Sequence, residues 1–205
     1  MIKVDQADEP AMFEHRVRAP GQSYLRSLPA GKKVRFDNRE YWRRSIRELH
    51  DSYEGICAYT CHYIPLDTGS DTVEHFVPKS IDNSLAYEWA NYRLVCGRLN
   101  GRKGEHRDVL DPFTIGLNPF HLDFPSLQLR VSPSLLGNST SLAGTTIKRL
   151  KLNDERSISS RLEYVARYCD GRISKQHLSE YAPFIDHELE RQGISHEDLL
   201  RIMSQ

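Results

Sequence analysis

Four residues within one stretch, Thr72 to Gly104 (TVEHFVPKSIDNSLAYEWANYRLVCGRLNGRKG), could do chemistry together: the adjacent Glu74 and His75, then Asn91, then Asn100. Cutting a phosphodiester requires a water nucleophile, a base to take its proton, and positive charge to stabilise the phosphorane and the departing oxygen. One hard cation meets the charge requirement. Magnesium prefers a few oxygen ligands and keeps several waters, so a carboxylate and an amide oxygen are a sufficient protein share, and Glu74 and Asn100 offer those groups. His75, whose ordinary pKa lies near neutrality, suits the general base. Asn91 suits an orienting role, bonding backbone or fixing the ring of His75. Arg98, Arg102, Lys103 and Arg107, with Lys79 upstream, form a basic patch suited to phosphate.

These groups converge only if the elements carrying them cooperate. Thr72 to Phe76 reads as a short strand ended by Pro78, which cannot donate to a ladder. Adjacent strand residues point to opposite faces, so Glu74 and His75 meet only where the strand bends or ends. Ser84 to Trp89 reads as one or two helical turns, Tyr92 to Val95 as a strand, and the segment carrying Arg98 to Lys103 as a short helix that delivers Asn100. Upstream, residues 1 to about 36 contain Pro10, Pro20, Pro29, Gly21 and Gly31 without a sustained period, and read as an extended arm. A helix is expected over Arg39–Glu54, its Tyr41, Trp42, Ile46, Leu49 and Tyr53 forming an apolar stripe. Tyr41 and Trp42 beside Arg43 and Arg44 could stack on bases, but aromatics at helical spacing are more often core. Ile56 to Ile64 reads as a short strand or hairpin. Downstream, His121 to Val131 reads as a hairpin and Leu135 to Gly144 as a Ser/Gly-rich mobile loop. Three helices follow, opened by Asn153 or Asp154, by Ser174, and by the Ser195 capping box.

The bulk composition sets limits. The 205 residues suffice for a buried core without disulfides. Lys plus Arg equals Asp plus Glu at 28 each, so binding to phosphates must come from a local patch rather than a global field. No apolar run approaches the roughly eighteen residues of a spanning helix, and the first residues lack a signal segment, so a cytoplasmic protein without membrane association is expected. Cys57, Cys61, Cys96 and Cys169 are too scattered for a secreted disulfide framework.

The central segment resembles the HNH nuclease family, also called the ββα-metal motif, whose pattern is an acidic or His residue followed by His, then an Asn, then a His or Asn. Further likeness lies in EHFVPKS, YEWANYRLVC, Asn100 to Lys103, the LDPF at Leu110 to Phe113 and TIKRLKLNDE at Thr146 to Glu155, which look like the PtuB-like HNH subunits of retron and Septu anti-phage systems. The resemblance runs from about Cys57 to Arg161. It implies a nuclease cutting nucleic acid, with DNA the first expectation and RNA the second, using Mg2+ or another divalent cation such as Mn2+, and an ATPase partner resembling PtuA. Many such relatives carry two C-x-x-C pairs that bind a structural zinc. Here Cys57, Cys61 and Cys96 form at most a degenerate zinc site, and structural Zn2+ is not expected.

The expected architecture is α+β: a ββα-metal (HNH) core over residues 37–120, an extended N-terminal arm over 1–36, and a hairpin and helical C-terminal extension over 121–205, packed as one globular unit. Catalysis falls to His75 and Asn91, metal to Glu74 and Asn100, phosphate to Lys79, Arg98, Arg102 and Lys103. Two alternatives stay open: a nucleic-acid-binding or scaffold subunit without cleavage, and a stand-alone toxin or mobile-element nuclease.

Overall fold

The computed structural model describes residues 1–29, 31–116 and 118–204. It is a mixed α+β protein whose chain forms two compact units, one from Met1–Val4, Ile56–Tyr63 and Asp108–Gln205, the other from Asp5–Gly55 and Ile64–Arg107. The candidate site belongs to the second.

That second unit begins with helix where an extended arm was expected. A π-helical turn over Glu14–Arg18 runs into α1, Ala19–Ser27. Pro20 is the second residue of α1, inside a helical stretch that continues from Glu14–Arg18 without a break. Gly21 is buried against the ring of Tyr87, so the residue that read as a loop signal is instead a close-packing contact. Phe13 sits edge-on to Trp89 and Tyr92, with ring centroids 5.4 and 5.7 Å away, and anchors the segment in the core. A 3-10 segment over Tyr41–Ser45 leads into α2, Ile46–Ser52, which buries Leu49 and His50. Two five-residue strands, β1 over Asp71–His75 and β2 over Tyr92–Cys96, pair antiparallel in a register that sets Glu74 opposite Arg93 and His75 opposite Tyr92. The helix α3, Gly97–Lys103, follows β2 directly. Gly97 is tight against Ser70, since a Cβ there would lie 2.6 Å from the Ser70 hydroxyl.

In the first unit, β3 (Phe120–Asp123) and β4 (Gln128–Val131) form the expected hairpin, with Leu122 opposite Leu129. The Ser/Gly-rich stretch after it is helical instead of a loop: α4 spans Asn138–Leu150, entered through Gly137 at a φ of 60° and left through Lys151 in the left-handed region. Its Ala143, Thr146 and Leu150 are buried, which outweighs the weak helix propensity of its first turns. Four further helices belong to the unit, three of them with side-chain caps: α5 (Glu155–Cys169) behind Asp154, α6 (Lys175–Tyr181) behind Ser174, α7 (Pro183–Gln192) with Pro183 in its first turn, and α8 (His196–Met203) behind the Ser195 capping box. Ile56 and Tyr63 make a single antiparallel bridge, so the expected hairpin there is reduced to a tight turn around the buried Cys57, Tyr59 and Cys61.

Candidate active site

The strand β1 ends at His75, and the chain then turns through Phe76 to Pro78 instead of continuing the pleat. The whole of β1, Glu74 and His75 included, lines one cavity of about 900 Å³, with Asn100, Lys79 and Trp42 also in its wall. Both acid and imidazole are nearly sequestered, at 1 % and 5 % exposure.

His75 is held at one nitrogen. Its Nε2 lies 2.9 Å from the Ala86 carbonyl oxygen, an obligate acceptor, so Nε2 carries the proton and Nδ1 keeps its lone pair. Lys79 Nζ donates to that lone pair at 3.2 Å and also lies over the Trp42 ring, 4.7 Å from its centroid. Burial, followed by the neighbouring charges of Lys79 and Lys103, pushes the imidazole pKa down to about 3, with the Ala86 bond opposing them. The ring is thus a neutral base. Burial also lowers the Lys79 ammonium below its ordinary value. The Trp42 and Tyr92 rings meet the imidazole edge-on at 4.8 and 5.1 Å and fix its plane.

Asn91 holds the loop that follows His75. Its Oδ1 accepts from Val77 N–H at 2.8 Å, its Nδ2 donates to Val77 O and Leu85 O at 3.0 and 3.2 Å, and its own carbonyl accepts from Phe76 N–H at 2.9 Å. It bonds backbone and not the imidazole. Asn100 reaches from α3 to β1: Nδ2 donates to Thr72 Oγ1 at 2.9 Å and to Val73 O at 3.2 Å, which leaves Oδ1 as the amide atom suited to a cation.

Lys103 is placed differently from the expectation. Its ammonium is wholly buried and gives its three hydrogens to Glu74 Oε1 at 2.6 Å, His75 O at 2.8 Å and Phe76 O at 2.6 Å. The two carbonyls belong to the last residue of β1 and the residue after it, so the lysine satisfies backbone acceptors at the strand's end and compensates the carboxylate at once. A direct phosphate contact by Lys103 is thereby overturned. Arg98 and Arg102 lie one turn apart on α3, on a face about 200° of helical rotation from Asn100, and are not among the residues lining the cavity. What the sequence did not point to is that Lys32, Lys33 and Arg43 line the same cavity. The adjacent lysines were a legible basic signal, but nothing in the sequence folded the segment before α2 back toward β1.

Among the described residues, no group of three His, Cys, Asp or Glu could hold a metal. Cys57 and Cys61 are buried in the first unit and Cys96 ends β2 in the second. Glu74 and Asn100, a carboxylate and an amide oxygen in the lining of the cavity, fit a magnesium-like ion that keeps most of its hydration; they do not fit the tetrahedral N/S set of zinc. No helix among the described residues is long and apolar enough to cross a membrane.

No protein-family model matches the chain. Over 81 residues, 40 % of this chain, it is 35 % identical to the Septu protein PtuB of Bacillus thuringiensis. The match spans 30 % of that protein's length and supports a Septu-like relationship.

Proposed function

We propose that the chain is an HNH-type, metal-dependent endonuclease that hydrolyses phosphodiester bonds of nucleic acid, DNA being the first candidate and RNA the second, as the nuclease subunit of a Septu-like anti-phage system with an ATPase partner resembling PtuA. The observation that carries this reading is the state of His75: a neutral imidazole pinned at Nε2, its Nδ1 accepting from Lys79, in a cavity that Glu74 and Asn100 also line. In the reaction, His75 Nδ1 takes the proton of the attacking water. Asn91 keeps the loop after β1 in place so that the imidazole does not drift. Glu74, held by Lys103, and Asn100, held by β1, would bind Mg2+ or Mn2+, which supplies positive charge to the phosphorane and the leaving oxygen. Lys79 must leave Nδ1 before the base can act, and an incoming phosphate gives its ammonium a better partner than a neutral imidazole.

One observation favours the non-cleaving alternative. The base and the carboxylate are each engaged by an ammonium, a closed arrangement that a pure binding subunit could keep indefinitely. The two readings part in an assay on plasmid DNA, single-stranded DNA and tRNA with and without magnesium. Magnesium-dependent cleavage lost in His75→Ala supports the nuclease. Binding without cleavage, indifferent to that substitution, supports the scaffold. Activity of the chain without any ATPase would favour a stand-alone nuclease.

A further inference from the structure

The cavity's outer wall is built by a segment far from β1, β2 and α3 in sequence. Lys32 and Lys33 lie in the stretch between α1 and the 3-10 segment, Arg43 lies on that 3-10 segment, and all three are exposed while lining the cavity. The stretch is anchored. Phe36 packs edge-on to Trp42 at 5.4 Å and to Tyr87 at 6.1 Å, the Tyr24 hydroxyl donates to Arg35 O, and the Tyr87 hydroxyl donates to Arg39 O at 2.8 Å. Trp42 also touches His75, so one aromatic cluster fixes both the base and the basic wall. The carboxylates in the lining are Asp71, Glu74 and Glu105, and Glu74 is already compensated by Lys103. Arg43 has only a long pairing with Glu40, at 3.9 Å between two partly exposed groups, which costs little to give up.

We infer that Lys32, Lys33 and Arg43 grip the backbone phosphates of the nucleic-acid strand that enters the cavity, the role the sequence assigned to α3. The inference rests on the nuclease reading for its ligand class and adds the residues that hold that ligand. Cations on an anchored part of the same cavity as His75 position successive phosphates without reading sequence.

The test uses the full-length chain carrying His75→Ala as the parent, so that nucleic acid is bound without being cut, and a fluorescent oligonucleotide followed by anisotropy across a salt series. Adding Lys32→Ala, Lys33→Ala and Arg43→Ala is expected to weaken binding at least about tenfold at moderate salt and to flatten the slope of log affinity against log salt by about 2 to 3, since each lost phosphate contact removes slightly less than one. A charge-matched control, Arg156→Ala with Arg167→Ala and Arg172→Ala on the other unit, is expected to keep both quantities. Unchanged affinity in the wall triple, or a loss seen only with Arg98→Ala and Arg102→Ala, overturns the wall; if the unsubstituted chain still cuts with magnesium, the nuclease reading survives that failure. Loss of binding in the wall triple together with an unsubstituted chain that never cuts leaves the wall and removes the nuclease. A parent that binds no oligonucleotide overturns the wall.

Discussion

At the residue scale the site is a set of obligations met by backbone. Asn91 satisfies three backbone groups of Val77 and Leu85 from a position 6 % exposed. Truncating it orphans buried donors and acceptors, each costing about 1 to 3 kcal/mol. Asn91→Ala is therefore expected to lower stability by about 2 to 4 kcal/mol in denaturant titration, and its effect on cleavage should exceed that of an equally destabilising core substitution, because the loop it holds follows the base directly. Lys103 makes a second obligation. Lys103→Met leaves Glu74 a buried carboxylate with its ammonium gone, a change expected to cost about 3 to 5 kcal/mol. Adding Glu74→Gln removes the charge that Lys103 held, so the double variant should be more stable than Lys103→Met alone. A double variant no better than the single would show that the two carbonyls of His75 and Phe76, rather than the carboxylate, dominate what Lys103 does.

At the element scale, the substitution most diagnostic of the N-terminal helix is Gly21→Ala. A methyl there would lie 2.2 Å from the Tyr87 ring. The helix α1 or the ring must shift, so stability should fall by about 1 to 3 kcal/mol despite the better helix propensity of alanine, and thermal unfolding reads this directly. The same residue explains a limit of the sequence. Gly21, Pro20 and Pro10 announce breaks by local rules, and only the ring of Tyr87, distant in sequence, makes a glycine at that place a packing device. Likewise the Ser/Gly stretch beginning α4 is helical because Ala143 and Thr146 are buried, a fact of tertiary contact. By contrast β1, β2, α3 and the hairpin β3–β4 were legible from alternation and breakers, and α5, α6 and α8 from the caps Asp154, Ser174 and Ser195. The four central residues were legible as a pattern of types. That Lys103 turns inward while Lys32 and Lys33 border the cavity was not, because charge alone does not say which lysine a fold will bury.

At the scale of the whole molecule, the chain does not divide at a single cut. Residues 56–63 belong with the unit formed by 108–205, yet they interrupt the sequence of the unit that holds the candidate site. A fragment ending at Arg107 should therefore expose Cys57, Tyr59 and Cys61, all at most 1 % exposed in the intact fold, and is expected to aggregate where the full chain does not. Global stability also carries the signature of His75. Its folded pKa of about 3 lies below the ordinary 6.5, so between those values the unfolded chain binds the proton more readily than the folded one. The contribution is present in full above pH 6.5 and is lost as the pH falls toward 3. Between pH 8 and pH 5 this one group should remove about 2 kcal/mol, within a larger acid response shared with other titrating groups. Nuclear magnetic resonance isolates it: the His75 imidazole should remain neutral, in the Nε2–H tautomer, down to pH 5 in the folded protein. A midpoint near 6.5 would mean that the ring is solvated, that Ala86 and Lys79 do not hold it, and that the base is not the preformed one on which cleavage depends.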